Sequence, residues 1–473
     1  MKKTKIVCTL GPASNNETTL EQMLLAGMNV ARLNFSHGSH ESHKKVIETF
    51  RKVRDRLQLP AALMLDTKGP EIRLKCFENG AVTLKEHTTF TLSTKDLLGT
   101  SSIASVTYKD LPRQLKENDR ILIDDGRIQL RVLSTTETTV ECEVLHGGKV
   151  SDHKGINLPG VNLDMEYLSP QDKDDVLFGI EQDVDFIAAS FVRRAQDIID
   201  LRKFVDYNGG HHIKLIAKIE NIEGIENFDE ILLHSDGIMV ARGDMGVEVE
   251  YERLPGLQKR FIRRCYQSGK VVITATQMLE SMINNPTPTR AEITDVANAV
   301  FDGTSAVMLS GESAMGKYPV EAVKVMAKIA EQAEQDAFIM EVFKNISHDM
   351  DATDMTNAIC DATCTTAKDL KAKAIIAVTK HGHTARRMSK FRPSTPIVAA
   401  TPVIKTFHQL ALSWGVYPVL ARYQQTSDDL FLHAIDCAKM IDIVQTGDRV
   451  VITAGIPLDT SGNTNILKVE VVK

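Results

Sequence analysis

Short apolar runs rich in valine, isoleucine, leucine and alanine recur along the chain, and each ends at polar or glycine residues. Amphipathic stretches of helical period, such as Glu17–Leu25 and Pro170–Gln182, lie between most of them. Near-continuous apolar strands that alternate with helices are typical of a parallel sheet covered on both faces. Eight such runs predict a TIM (β/α)8 barrel with strands at Lys5–Leu10, Asn29–Asn34, Ala61–Asp66, Asp185–Ser190, Lys214–Glu220, Gly237–Asp244, Val271–Thr276 and Ala306–Ser310.

The interval between the third and fourth predicted strands is much longer than the others. It runs from Lys68 to Val184, about 117 residues, and much of it is rich in threonine and valine. The pattern predicts short strands at Ala81–Leu84, Thr88–Ser93, Arg120–Ile123, Arg127–Leu133 and Thr139–Leu145. We therefore expect an inserted all-β domain at 70–166, which overhangs the carboxyl ends of the barrel strands as a lid.

The remaining segments complete an α/β fold. The barrel is predicted at 1–69 and 167–350, and a smaller C-terminal α/β domain at 351–473. Strands of this last domain are predicted at Ala374–Thr379, Pro396–Thr401, Val416–Leu420, Arg449–Thr453 and Leu467–Val472.

Composition narrows the function classes. The net charge of −6 and the lack of a long basic stripe argue against a nucleic-acid partner. Seven scattered cysteines fit reduced thiols in the cytoplasm better than a disulfide framework. No apolar run approaches the roughly 20 residues of a membrane span. A soluble, cytoplasmic protein is expected.

Polar residues close most of the predicted barrel strands. Catalytic groups of such barrels gather at the carboxyl ends of the strands. A single charged group there is more often a paired surface charge, and a hydroxyl often caps the next helix. The convergence of many such residues on one face of the barrel favours a functional site over separate surface charges and helix caps. The residues are Arg32, Asn34, Ser36, Asp66, Thr67, Lys68, Lys218, Glu220, Arg242, Gly243, Asp244, Thr274, Thr276, Ser310 and Glu312.

Two carboxylates at neighbouring strand ends suggest a divalent-cation site. Glu220 and Asp244 are hard oxygen ligands, and the alternative is that they pair with Arg242 or Lys218. Lys218 lies two residues before Glu220, so both project to one side of an extended strand. A lysine beside a metal can neutralise charge that grows on a phosphoryl group or an enolate.

Two further sets of side chains have open interpretations. Arg32 and Arg73 offer planar forks for phosphate or carboxylate oxygens. Oxygens suited to a monovalent cation are offered by Asn34, Ser36, Asp66 and Thr67, although structural hydrogen bonding is equally compatible with their spacing.

Whole strings of the chain resemble the pyruvate kinase family. They are MNVARLNFSHG at 28–38, LDTKGPEIR at 65–73, KIEN at 218–221, MVARGD at 239–244, ITATQML at 273–279 and MLSGE at 308–312. The resemblance covers the chain in order and is strongest to bacterial members. It implies a form without the extra C-terminal domain of some relatives, because the chain stops at Lys473.

The resemblance implies transfer of a phosphoryl group from phosphoenolpyruvate to ADP, which gives pyruvate and ATP in the last step of glycolysis. Lys218, Arg32 and Thr276 resemble the catalytic and substrate-binding residues, with Gly243 and Asp244 also at the substrate. Glu220 and Asp244 resemble the ligands of Mg²⁺ (or Mn²⁺). The family's K⁺ site is matched in this chain by Asn34, Ser36, Asp66 and Thr67, and Glu71 matches the family residue associated with a K⁺ requirement. The family's nucleotide contacts are matched by Asn34, Arg73 and Lys154, the last within KGINLPG at 154–160.

A regulatory site and an oligomer are also implied. The family keeps an effector-phosphate site at a strand–helix loop, which here comprises Thr379, Lys380, His381, Gly382, His383 and Thr384 and is opposed by Leu458–Asn465. An ordinary strand–helix loop is the alternative, and His381 stands where serine is common. Allosteric activation by a phosphorylated metabolite and a homotetramer are the expectations. Thr287, Ser305 and Met245 also depart from the family pattern, and Thr287 lies near a subunit contact in relatives.

Two other functions are alternatives to phosphoryl transfer. A barrel aldolase or lyase would use Lys218 as a Schiff base, or the Glu220–Asp244 metal to stabilise an enolate. The long insertion and the second phosphate-binding set at Arg73 and Lys154 favour a nucleotide co-substrate instead. A non-catalytic metabolite sensor is disfavoured by the intact set of strand-end ligands.

Overall fold

The computed structural model of the chain describes residues 1–343, 354–457 and 464–473. Eight parallel strands close a barrel, and they are Lys5–Thr9, Val30–Asn34, Ala62–Asp66, Phe186–Ala189, Lys214–Ile219, Gly237–Ala241, Val271–Ala275 and Ala306–Leu309. The first strand pairs with both the second and the eighth, since Val7 lies opposite Val30 and Lys5 opposite Ala306. The sheet therefore has no free edge, and the predicted TIM barrel is confirmed.

Helices surround the barrel at Glu17–Ala26, His40–Leu57, Pro170–Glu181, Ala195–Tyr207, Ile222–Glu226, Phe228–His234, Arg242–Glu248, Leu254–Gln267, Arg290–Phe301, Gly311–Ala314 and Pro319–Ile339. Local sequence sets where they begin. Before Pro170–Glu181, the Ser169 hydroxyl accepts a hydrogen bond from the Asp172 N–H, and proline fills the first helical position. Their apolar faces pack on the outer side chains of the strands in one continuous core.

The sixth barrel strand is shorter than predicted. It ends at Ala241, and the next seven residues, Arg242–Glu248, form a helix, so the prediction of a strand to Asp244 is wrong. The Arg242 guanidinium donates to the Ala275 carbonyl at 3.2 Å, and Asp244 lies in the first helical turn, where negative charge is favoured. The other seven predicted strands differ from the observed ones by at most one residue at either end.

The insertion is all-β, as predicted, apart from a short α-helix at Leu111–Gln114 and a 3-10 helix at Glu78–Gly80. Its strands are Ile72–Arg73, Ala81–Leu84, Thr89–Ser93, Ile103–Ser105, Arg120–Ile123, Ile128–Thr135, Thr139–His146, Gly148–Ser151 and Gly155–Asn157, in a seven-stranded and a two-stranded sheet. Four of them escaped prediction because runs of two to four residues show too little alternation. The sheets enclose a core of their own, and the domain limits at 70 and 166 stay predictions.

The C-terminal domain is an α/β sheet at the amino-terminal end of the barrel. Its strands are Ala374–Val378, Ile397–Thr401, Val416–Leu420, Arg449–Ala454 and Ile466–Val471, of which the last is antiparallel. Its helices are Met355–Asp369, His383–Lys390, Ile404–Gln409 and Ser427–Met440. Gln409 donates to the Asp185 carbonyl before the fourth barrel strand at 3.2 Å, so the domain docks opposite the strand ends that carry the predicted site.

The predicted boundary between the barrel and the C-terminal domain, at residues 350 and 351, lies outside the described residues. Of the helices that the structure describes, none combines the length and apolar character needed to traverse a bilayer.

Candidate active site

Lys218 lies at the centre of the carboxyl-terminal face of the barrel. Its ammonium contacts the Asp66 and Glu220 carboxylates, each at 3.0 Å, and donates to the Ser190 hydroxyl at 2.7 Å. All four side chains are buried. Burial lowers the pKa of Lys218, but the carboxylates of Asp66 and Glu220 outweigh it and raise the pKa above its ordinary value. Lys218 is therefore a fixed, protonated cation.

Glu220 and Asp244 bring two carboxylates together beside this ammonium. They follow the fifth and sixth strands, which pair in parallel with Lys218 opposite Met239. Burial raises the pKa of both carboxyl groups above the ordinary range, and the charge of Asp244 adds to the effect on Glu220. The Phe191 N–H donates to Glu220 at 2.5 Å. A buried and a half-buried carboxylate beside one ammonium are a donor set suited to a hard divalent cation.

The structure distinguishes between Lys218 and Arg242, the two cations that could pair with these carboxylates. Lys218 does pair with Glu220, whereas Arg242 forms its ion pair with Asp295 at 2.8 Å. Among the described residues, no group of three or more histidine, cysteine, aspartate or glutamate side chains is placed to hold a metal. A cation between Glu220 and Asp244 would therefore complete its coordination with water and substrate oxygens.

Asp66 joins the ends of the second and third strands. Its carboxylate accepts from Arg32 at 2.6 Å and from the Ser190 hydroxyl at 3.1 Å, and Arg32 also donates to Thr9 at 2.8 Å. Burial acts to raise the pKa of Asp66, but Arg32 and Lys218 lower it below its ordinary value. Arg32 is thus held rigidly with its Asp66 partner ionised.

The four predicted K⁺ ligands lie on the same two strand ends. Asn34 is the register partner of Asp66, and its side-chain oxygen accepts from the Ser36 N–H at 3.1 Å. The Thr67 hydroxyl accepts from the Ser190 N–H at 3.1 Å. Structural hydrogen bonding, the alternative that spacing left open, is therefore present at Asn34, Asp66 and Thr67.

Thr276 adopts a strained backbone conformation at the end of the seventh strand. Its φ of 69° lies in the left-handed region, which is rare for a β-branched residue. The Gly243 N–H donates to its hydroxyl at 2.8 Å, and Arg242 donates to its carbonyl at 2.6 Å. These contacts fix the Thr276 hydroxyl beside the helix that carries Asp244.

The predicted nucleotide contacts lie across a cleft between the insertion and the barrel. Arg73 and Lys154 line this cleft together with Asp244. Both cations are ion-paired, Arg73 with Glu71 and Lys154 with Asp124 at 2.7 Å. Asn34, also predicted at the nucleotide, is outside the set of residues that line this cavity.

Sequence reasoning missed several residues of the site. Ser190 and Phe191 follow the fourth strand, and the strand-end rule applied to that strand would have found Ser190. Phe191 has a φ of 53°, which no sequence signal announced. Asn157 of the insertion donates to Glu248 at 3.1 Å, and burial raises the pKa of Glu248 to about 7. This bond ties the insertion to the helix that bears Asp244.

The predicted effector loop forms a separate cavity in the C-terminal domain. The lining of this cavity includes Thr379, His381, His383 and Thr384. Gly382, with a φ of 78°, precedes the helix His383–Lys390, and its N–H donates to the Thr379 hydroxyl at 3.0 Å. Burial lowers the pKa of His383 to about 4. Thr384 meets Thr464 at 2.7 Å, and residues 458–463 of the predicted opposing loop lie outside the described residues.

Comparison with known proteins gives consistent results. The family model described as pyruvate kinase, barrel domain, matches residues 1–323, and pyruvate kinase, alpha/beta domain, matches 357–470. A pyruvate kinase of Staphylococcus haemolyticus is 49% identical over 100% of this chain and 81% of its own length. One from Clostridium acetobutylicum is 46% identical over 100% of both. The crystal structure of a pyruvate kinase from Cryptosporidium parvum superposes with a TM-score of 0.92 at 38% identity, covering 100% of this chain and 96% of that one. The chain belongs to the pyruvate kinase family of phosphotransferases.

Proposed function

We propose that the chain transfers the phosphoryl group of phosphoenolpyruvate to ADP and releases pyruvate and ATP. The observation that carries the proposal is the Lys218 ammonium, held 3.0 Å from Glu220 next to Asp244. Phosphoryl transfer needs positioned cations more than covalent chemistry, and this face of the barrel supplies them.

Glu220 and Asp244 are the proposed ligands of Mg²⁺ or Mn²⁺. A bound divalent ion would supply neutralisation of the charge that spreads over the transferring group. Lys218 stabilises negative charge on that group and on the resulting enolate, because its protonation is secured by Asp66. Arg32, fixed by its own bond to Asp66, orients the substrate.

Protonation of the enolate at carbon is assigned to the neighbourhood of Thr276. Its hydroxyl donates to the Ala275 carbonyl at 2.6 Å and accepts from the Gly243 N–H, so its position is defined from both sides. Gly243 presents backbone to the substrate in this assignment. A fixed hydroxyl that relays a proton avoids reorganisation during the reaction.

Arg73 and Lys154 are the proposed contacts of the ADP phosphates, and Asn34 is a further proposed contact of the nucleotide that lies outside the lining of their cleft. Their present partners, Glu71 and Asp124, keep both cations folded against the cleft wall. Nucleotide phosphates would replace those carboxylates, a charge-for-charge exchange with little net desolvation. The insertion then acts as the lid that excludes water from the reaction.

K⁺ is the proposed monovalent cofactor, with Asn34, Ser36, Asp66 and Thr67 as its ligands. Asn34 and Asp66 lie opposite each other on paired strands, which supports the assignment. The association of Glu71 with a K⁺ requirement rests on resemblance to the family.

Regulation, assembly and location are also proposed from the family. The Thr379–Thr384 loop, with His381, Gly382 and His383, would bind the phosphate of a metabolite activator by helix N–H groups and hydroxyls. A homotetramer in the cytoplasm is expected, and sedimentation velocity of the purified chain tests the assembly. If the saturation curve for phosphoenolpyruvate does not change with any of a panel of sugar phosphates and AMP, the proposed activator is refuted.

The decisive experiment is a coupled assay of pyruvate formation from phosphoenolpyruvate and ADP, run with and without Mg²⁺ and K⁺. Pyruvate should form only with the divalent ion, and faster with K⁺ than with Na⁺. The aldolase alternative predicts borohydride trapping of a pyruvate adduct on Lys218. The raised pKa of Lys218 keeps the amine protonated and non-nucleophilic, so no adduct is expected.

A further inference from the structure

Arg242 and Glu312 lie at strand ends of the predicted site, yet the reaction proposed above gives neither of them a role. Both are buried, and both bond the segment that follows the seventh barrel strand, the loop 276–279. Arg242 follows the sixth strand and Glu312 the eighth, and these strands flank the seventh in the sheet. Two side chains of opposite charge therefore meet this loop from its two sides.

The backbone of the loop 276–279 needs such support. Thr276 and Gln277 have φ values of 69° and 54°, so two successive residues other than glycine adopt the left-handed conformation. A backbone of this kind persists only where its surroundings fix it. Met278 and Leu279 are fully buried, so water does not satisfy their N–H and C=O groups. Partners from other parts of the chain have to do so.

Arg242 supplies hydrogen-bond donors to the start of the loop. Its acceptors are the Ala275 carbonyl at 3.2 Å, the Thr276 carbonyl at 2.6 Å, the Met278 sulfur at 2.8 Å, the Asp295 carboxylate at 2.8 Å and, weakly, the Gln258 side-chain oxygen at 3.4 Å. A planar guanidinium can bond two successive carbonyls and a carboxylate at once, which the single ammonium of a lysine cannot do.

Glu312 supplies hydrogen-bond acceptors to the end of the loop. One carboxylate oxygen accepts from the Leu279 N–H at 3.0 Å, and the other accepts from the Ser310 N–H at 2.7 Å. The side chain thus joins the loop to the end of the eighth strand. Glutamine has the same shape but only one acceptor oxygen, so it satisfies one of the two N–H groups.

We propose that Arg242 and Glu312 are positioning residues that together hold the Thr276 hydroxyl where it delivers a proton to the enolate carbon. The inference rests on the proposed function, because the protonation step gives this hydroxyl its purpose. The hydroxyl donates to the Ala275 carbonyl at 2.6 Å and accepts from the Gly243 N–H at 2.8 Å. Arg242 bonds the same Ala275 carbonyl, and it therefore acts on the hydroxyl through an acceptor that both share.

Glu312→Gln tests the inference through the protonation step alone. Exchange of the methyl hydrogens of pyruvate is followed by NMR in D₂O with Mg²⁺, K⁺ and ATP. A C–H bond gives up its proton to the site, and a C–D bond forms when a deuteron from solvent returns to the enolate. The exchange rate should fall about 10–100-fold, because the loop loses one of its anchors and the hydroxyl shifts. Affinity for Mn²⁺ and KM for ADP should stay at the wild-type values, since Glu312 bonds backbone N–H groups and neither Glu220 nor Asp244.

Glu292→Gln is the matched control. Glu292 also accepts from two backbone N–H groups, those of Ser281 and Thr289, each at 2.7 Å. These bonds lie further along the same connection, beyond the loop 276–279. Exchange in Glu292→Gln should therefore proceed at the wild-type rate.

Arg242→Lys tests the other side of the loop in the same exchange assay, and a similar fall is expected. Its control is Arg392→Lys. Arg392 is an equally buried arginine that donates to two backbone carbonyls, of Ser389 and Gly303, each at 2.8 Å, at the opposite end of the barrel. The control should lose stability without slower exchange.

A crystal structure of Glu312→Gln makes the test independent of activity. The Thr276 hydroxyl should have moved away from the Gly243 N–H. The inference is overturned if Glu312→Gln exchanges at the wild-type rate, if the two controls slow exchange as much as their partners, or if the loop keeps its φ values and the Gly243 bond in those crystals. A wild type that neither forms pyruvate nor exchanges its hydrogens refutes the proposed function instead, and the crystals still decide whether Glu312 positions the loop.

Discussion

Replacing Lys218 by methionine removes the cation that the ends of the third and fifth barrel strands share. At an effective dielectric constant of about 20, an ammonium 3.0 Å from a carboxylate gains about 5.5 kcal/mol of Coulomb energy. Most of that gain offsets desolvation, and leaving buried partners uncompensated costs about 3–5 kcal/mol. We therefore expect the free energy of unfolding to fall by about 3–5 kcal/mol in the absence of divalent ions.

The same substitution should slow catalysis while sparing metal binding. Loss of one preorganised charge at the reacting group lowers turnover by about 10²–10³-fold. Mn²⁺ affinity should be retained or increased, because Glu220 and Asp244 lose a competing cation. Denaturant unfolding, the coupled assay and titration with Mn²⁺ measure the three effects.

Lys214→Met is the matched control. Lys214 lies at the other end of the same strand and forms an ion pair of equal length, 3.0 Å to Asp236, but its side chain is 31% exposed. An exposed pair contributes at most about 1 kcal/mol. Turnover of Lys218→Met within threefold of the wild type, in a folded protein, would refute the role given to this ammonium.

Three further predictions follow from other residues. Burial lowers the pKa of His408 to about 4, so between about pH 4 and the ordinary value of 6.5 the unfolded state binds more protons than the folded state. The free energy of unfolding should therefore fall as the pH drops through that window. Urea unfolding measured across this range should show a weaker dependence on pH for His408→Gln. Thr276→Val should lower kcat by about 10–100-fold, because the Gly243 N–H loses its acceptor, whereas Thr276→Ser should stay close to the wild type; an equal loss in both variants would point to backbone strain instead. Ser190→Ala should lower kcat about tenfold with little change in KM for ADP, because Lys218 loses one of its three acceptors; unchanged turnover would count against a positioning role for Ser190.

Apolar periodicity was sufficient to predict the barrel and the order of its strands. Strands such as Ala62–Asp66 are buried throughout and flanked by amphipathic helices, so pattern and structure agree. The end of the sixth strand was not predictable in this way. The helix that begins at Arg242 is fixed by hydrogen bonds from the Arg242 guanidinium to the Ala275 and Thr276 carbonyls, at the end of the seventh strand. Such contacts between distant parts of the chain have no local sequence signature.

The candidate site was likewise predictable only in part. Residue type and strand-end position pointed to Lys218, Glu220 and Asp244, and the structure brings them together. Neither property reveals a left-handed backbone at Thr276 or at Phe191. Nor could spacing show that Arg73 is paired with Glu71, since side-chain partners depend on how the insertion folds back on the barrel.

The bond between Ser190 and Asp66 spans the point at which the insertion interrupts the barrel. The third and fourth strands are joined there by direct pairing, with Phe186 opposite Met64, as well as by this side-chain bridge. Continuity of the cylinder thus does not depend on the covalent detour through more than a hundred residues. A chain in which a short linker replaces the inserted domain should therefore still form the closed eight-stranded barrel.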